Sequence, residues 1–354
     1  MANFTPTIHP WNQEVWQNLT LDPARSNHAL LFNGNQGLGK IDLGFALAHY
    51  VLTDNHSQSE QLFNSSSHPD LHVIMPEFAA LDLLQEKPIR SMQGASLLGA
   101  FAQRYLEPHG GKPRKTITID QIRRLAMALT THPHISTHRV VLIAFAETMN
   151  RNAANALLKN LEEPPQNTLF IMVSDEVSSL AKTIRSRCSL VNFRAPDTQS
   201  AQLWLAQQNS MPEHEVANHL AMANNNPLLA LRLFEEGYIT ALKGVFTDVN
   251  GLWNRGREPV QVAKNFQQIG ALRVVEILQK LATDLMRFSV SDAPKTVFFP
   301  VQETWVKSVS KKVSLTKLMD LLDQLVYAKK MLGTTVDELL VLETVSIKLY
   351  DLPN

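Results

Sequence analysis

Gly34-Asn-Gln-Gly37-Leu-Gly39-Lys40-Ile41 has the spacing G-x-x-x-x-G-K, which can hold phosphate groups. In such a loop the glycines let backbone N–H groups turn toward phosphates at a helix N-terminus. The lysine reaches the outer phosphates, and a following Ser or Thr hydroxyl ligates Mg²⁺. Gly34, Gly37, Gly39 and Lys40 are therefore the candidate nucleotide-binding residues, but the metal-ligating position is Ile41, which has no hydroxyl. A hydrolysing loop also needs an acidic residue at the end of a second buried strand. The candidate strand Val140–Ile143 runs into Ala144 and Phe145, and Glu147 follows in what should be the next turn. Two independent parts of one metal site are absent together, which points to a loop that does not hydrolyse. The alternative is an unorthodox ATPase that recruits Glu147. On spacing alone, a purely structural glycine turn also stands.

Other residues with chemical potential weigh less. Arg187, in Thr183-Ile-Arg-Ser-Arg-Cys188, reads by composition as an ordinary surface arginine, and Cys188 as a small buried residue rather than a nucleophile. Glu162-Glu163 close a helix before Pro164-Pro165 and carry no catalytic part. His68 and His72 flank Asp70, and His56 lies upstream, but loop histidines without further ligands rarely bind a metal. No metal site and no stoichiometric zinc are expected. Lys112, Arg114, Lys115, Arg123, Arg124 and Arg139 form a local basic cluster in a chain of zero formal net charge. Nucleic-acid affinity resting on phosphate neutralisation usually shows a basic excess. Any DNA contact is thus local or shared with partners, and a stand-alone DNA-binding protein is disfavoured.

The elements that must position these residues alternate. His28–Asn33 reads as a buried strand before the glycine loop, with a helix over Asp42–Val51. Thr116–Ile119 reads as a short strand, and Asp120 as the N-cap of the next helix. Arg139–Ala144 and Thr168–Val173 are apolar strands around the helix Arg151–Leu161. Continuous apolar runs indicate strands buried on both faces, hence a parallel sheet covered by helices. Pro76–Pro113 fits this rhythm poorly and reads as a surface insertion. After Pro196 the strands stop. Ser200–Asn209, His214–Ala223 and Pro227–Glu236 predict a small three-helix unit. Phe266 to Phe288 and Leu315 to Leu325 then carry apolar residues at 3–4 spacing, predicting a helical bundle.

With 354 residues the chain should hold two or three domains, and 44% hydrophobic and 19% charged residues suit a soluble globular protein. The longest apolar run, Val140–Ala146, falls far short of the ~20 residues that span a bilayer. Residues 1–16 show no secretory signal pattern, and one cysteine permits no internal disulfide. A cytoplasmic location without membrane association is the simplest expectation.

Asn155-Ala-Leu-Leu-Lys-Asn-Leu-Glu-Glu-Pro-Pro165, with Ser186-Arg-Cys188 downstream, resembles the ATPase core of the AAA+ clamp-loader family of bacterial DNA polymerase III. Phe170–Ser174 occupies the place of its sensor strand. His28–Phe32 with Gly34–Lys40 matches the front of the core, and His68-Pro-Asp70 matches a short element after the first helix. The resemblance covers residues 5 to 235 or so. Active motor subunits of the family have Ser or Thr at position 41, an Asp-Glu pair at 144–145 and an arginine near Leu228. The pattern here is that of the type which lacks working ATP chemistry yet keeps the S-R-C arginine. Many members also carry a four-cysteine zinc module, absent from Asp54–Ser67.

The resemblance implies a RecA-like α/β AAA+ core (1–196), a small helical lid (197–243) and an all-α collar for oligomerisation (244–354). It implies a non-hydrolysing structural role in a hetero-oligomeric ring, with no cofactor of its own. Arg187 would be an arginine finger acting in trans on a neighbouring ATP site. The implied partners are motor ATPase subunits, a clamp-opening subunit, the sliding clamp, and primer–template DNA within the complex. Arg123 and Arg124 lie on a helix resembling one that lines the DNA chamber. For them a DNA-facing role and plain solvation both remain open. The alternative stays a catalytically active, motif-degenerate ATPase of the motor type.

Overall fold

A computed structural model describes residues 5–21, 28–53, 57–84, 95–106, 112–208, 211–334 and 336–353. The described chain falls into two compact units, Met1–Pro196 and Asp197–Asn354.

The first unit is built on five parallel strands: β1 (Ala29–Asn33), β2 (Leu71–Ile74), β3 (Arg139–Ile143), β4 (Thr168–Ser174) and β5 (Ser189–Asn192). Their order across the sheet is β2-β3-β4-β1-β5. Successive side chains point to opposite faces, so each central strand feeds two cores. Leu30, Phe32, Val140, Leu142, Ile171 and Val173 face one layer of helices, with Leu43, Phe45 and Phe63. Leu31, Val141, Ile143, Phe170 and Met172 face the other, with Ile122, Leu157 and Ile184. Burial on both faces explains the unbroken apolar runs.

Several expectations need correction. The strand predicted at 116–119 is a single bridge between Ile117 and Met149. The helix that follows spans Ile119–Ala128, and its N-cap is Thr118 rather than Asp120. Gln121 decides this: Thr118 Oγ1 accepts its N–H, while Gln121 Oε1 accepts from the Thr118 N–H, a reciprocal capping box. The segment 76–113 is no surface insertion throughout. It contributes the helices Glu77–Leu83 and Ala95–Gln103, and Leu98 and Phe101 of the second are fully buried in the core beside β2. Residues 85–94 and 107–111 of that segment lie outside the described residues.

Asp197–Asn354 contains helices and no strand among its described residues. One continuous apolar core runs through it from Ala201 to Leu352. The stripe from Phe266 to Phe288 belongs to two helices, Pro259–Ile269 and Ala271–Val290, separated at Gly270. Gly270 has φ +110°, a value that side chains other than glycine rarely adopt. Phe266, Val275, Leu278, Leu281 and Leu285 are buried, whereas Leu272 is exposed. No helix among the described residues is long and apolar enough to cross a membrane.

Candidate functional site

All strands being parallel, the loops after β1, β3 and β4 emerge at the same end of the sheet. Open α/β sheets bind ligands outside these carboxyl ends. The glycine loop follows β1 and delivers Lys40 as the first residue of the helix Lys40–Thr53. Glycine is required where the loop is tightest. A Cβ on Gly34 would lie 2.8 Å from the Phe193 carbonyl oxygen, and one on Gly39, at φ +75°, would lie 2.4 Å from His9 Cδ2. Gly37 has φ +82°.

Lys40 is buried, and its ammonium group is satisfied from within the chain. Nζ donates to the carbonyls of Gly34 (2.6 Å) and Asn35 (2.7 Å) and to Asp175 Oδ1 (2.6 Å), just beyond β4. A turn near the N-terminus packs on the same loop. Asn12 Nδ2 and Trp11 Nε1 both donate to the Leu38 carbonyl, at 2.7 and 3.0 Å. His9, buried and stacked on Trp11, has Nε2 3.3 Å from Asp42 Oδ2. His9, Trp11, Asn12 and Asp175 were not legible as members of this site, since only folding brings their segments to the loop.

The residues at the metal positions do not fit a magnesium–nucleotide complex. Ile41 is half-buried and packs against the apolar core. Ala144 is fully buried, and Phe145 packs on the same core in a left-handed backbone conformation (φ 57°, ψ 47°). Such a conformation is uncommon for a bulky residue. Glu147 lies in the short turn Ala146–Thr148, as its spacing from the strand predicted. Its Oε1 accepts from the Asp175 N–H at 3.4 Å, and burial, reinforced by the Asp175 charge, raises its carboxyl pKa.

Arg187 follows the short helix Lys182–Arg185. Its Nη1 donates to the Thr183 carbonyl at 2.8 Å, and its Nη2 pairs with Glu162 Oε1 at 2.5 Å. Glu162 is the last residue of the helix Arg151–Glu162, so the helix-closing role read from the sequence omitted its guanidinium partner. Cys188 is half-buried, and burial pushes its thiol pKa up to about 12, which leaves it inert as a nucleophile.

Arg123 and Arg124 are exposed on the helix Ile119–Ala128. Arg123 lies 3.4 Å from Asp120, and Arg124 donates to the Leu106 carbonyl. His68 lies in the loop before β2, as read from the sequence, whereas His72 does not lie in a loop; both are buried. His72 belongs to β2, with Nδ1 2.5 Å from Tyr105 Oη. Asp70 is buried between them and accepts the N–H groups of His134, Ile135 and Ser136 at 2.6 to 2.9 Å. Its capacity goes to shaping a turn. Among the described residues no three His, Cys, Asp or Glu side chains converge on a common point; His56 lies outside them.

A family model described as DNA polymerase III, delta subunit, matches residues 11–197. The chain is 28% identical to the Haemophilus influenzae DNA polymerase III subunit delta′, over 79% of this chain and 77% of that one. It is 32% identical to the Pseudomonas aeruginosa protein of the same name, over 65% and 62%. For the Escherichia coli protein the identity is 28%, over 64% and 61%. The matched part thus spans about three-fifths of the latter two relatives. Among solved structures, a gamma subunit-related protein of Thermotoga maritima is similar at a TM-score of 0.49 and 16% identity, over 96% of this chain and 99% of that one.

Proposed function

The chain belongs to the DNA polymerase III delta subunit family, and from that membership we propose that it is a clamp-loader subunit that keeps the nucleotide-binding fold without hydrolysing ATP. The observation that carries this reading is the state of the metal site. The apolar side chains of Ile41, the buried Ala144 and the half-buried Phe145 offer Mg²⁺ no side-chain oxygen, while Lys40 is already bound to Asp175. Phosphoryl transfer depends on such a cation to neutralise developing charge.

In this proposal Arg187 is the trans-acting residue, reaching the γ-phosphate held by a neighbouring motor subunit. A guanidinium suits the task because its planar fork of donors matches phosphate oxygens and stays charged. The remaining partners are a clamp-opening subunit, the sliding clamp and primer–template DNA, with Arg123 and Arg124 facing the DNA. In this reading residues 197–243 are the lid and 244–354 the collar, the two sharing the helix Tyr238–Trp253 and one apolar core. Exposed apolar side chains on the last two long helices, Val326 and Tyr327 on one and Leu340 and Ile347 on the other, favour assembly through that end.

Glu147 supports a second function, an unorthodox ATPase, because it places a carboxylate beside Asp175, the partner of Lys40. Steady-state ATP hydrolysis by the isolated chain separates the two. The non-hydrolysing subunit shows background turnover. A rate near ~1 s⁻¹ that Glu147→Gln abolishes would establish the ATPase instead.

A further inference from the structure

The side chain proposed as a finger does not extend away from its own chain. Arg187 folds back over the short helix before it, giving one nitrogen to the carbonyl four residues earlier and another to Glu162. We propose that Glu162 is a positioning residue that holds Arg187 withdrawn, so that the guanidinium reaches a neighbour's phosphate only by exchanging the carboxylate for that anion. This rests on the arginine-finger reading above.

Glu162 is poorly placed to stabilise its own helix. It is the final helical residue, where the backbone dipole presents its negative end and a carboxylate is disfavoured. The Arg187 guanidinium is what offsets that charge. The pair is also able to exchange. The Glu162 side chain is 48% exposed and that of Arg187 33%, and ion pairs in contact with water are weakly held. A terminal phosphate offers more negative charge and three acceptor oxygens in a geometry the guanidinium fork can match. A properly seated neighbour with bound nucleotide therefore outcompetes Glu162, whereas a loose one does not. The carboxylate sets how closely the subunits must be seated before the arginine changes partner.

The test uses loader reconstituted from all its subunits, with ATP hydrolysis measured with and without sliding clamp and primed DNA. Glu162→Gln keeps the side-chain shape and removes the charge. It should raise the unstimulated rate about fivefold, the scale on which one exposed ion pair shifts a population, and leave the stimulated rate unchanged. In an Arg187→Ala background the same substitution should do nothing. Glu162→Asp, which keeps the charge with a shorter reach, should give an intermediate rate and serves also if the Gln variant folds poorly. Wild-type rates for both Glu162 variants beside a slowed Arg187→Ala complex would overturn this inference and leave the finger standing. An equal effect of Glu162→Gln with and without Arg187 would overturn it too. Wild-type stimulated activity in an intact Arg187→Ala complex would instead sink the finger itself.

Discussion

Lys40 directs its ammonium group inward, onto two carbonyls and the carboxylate of Asp175. Its side chain is 3% exposed and that of Asp175 32%. Removing one partner of a buried pair leaves an uncompensated charge. The cost is several kcal/mol when both are deeply buried and less when water reaches one of them. Asp175→Asn should therefore lower unfolding stability by ~2 kcal/mol, read from the midpoint of denaturant unfolding. An unchanged midpoint would mean that the two carbonyls suffice. The loop was legible in the sequence because its spacing is local and Gly37 and Gly39 answer a local backbone need, a positive φ. Asp175 and the turn at His9 were not, because no periodicity links them to the loop. Glu162 was hidden differently. Its position before two prolines suggested a sufficient role, and the guanidinium that meets it comes from another turn.

Among the elements, those with long unbroken apolar runs were the readable ones: β1, β3 and β4, together with the helices that follow β1 and β3. β2 and β5 went unread. Each has four residues, and β5 is an edge strand with Leu190 exposed, too short for any pattern to stand out. The cap at Thr118 was misplaced because Thr and Asp both cap helices, and only the reciprocal bond from Gln121 separates them. β2 also carries a pH dependence. Burial lowers the His72 pKa to about 4, and burial raises that of its partner Tyr105 to about 12, so both are neutral near pH 7. The unfolded chain protonates His72 near its ordinary value of 6.5. Between pH 6.5 and about 4 the unfolded state thus binds the extra proton, and stability falls as pH falls. The loss from this residue approaches ~3 kcal/mol at the acid end of that window. His72→Gln should flatten the stability profile between pH 7 and 4.5 relative to the unsubstituted chain. An unaltered slope would show that His72 keeps its ordinary pKa in the folded state.

At the scale of the whole molecule, the apolar clusters divide as the two units do. The two faces of the sheet are completed within Met1–Pro196, and a separate core fills Asp197–Asn354. A chain ending at Pro196 should therefore unfold cooperatively on heating. A broad, non-cooperative melt would show that its cores depend on the rest of the chain. A cut at 243/244 divides the helix Tyr238–Trp253, whose Leu242 and Val245 lie in the same core as Val262 and Phe266. The carboxylate of Asp70 has a consequence of its own. His134, Ile135 and Ser136 lie in a connecting segment, where amides ordinarily trade protons with water quickly. Bonded to a buried acceptor at the start of β2, they can do so only when that edge of the sheet opens. In heavy water this turn would take up deuterium at the pace of the sheet rather than of a loop, marking a place where irregular backbone keeps time with the core.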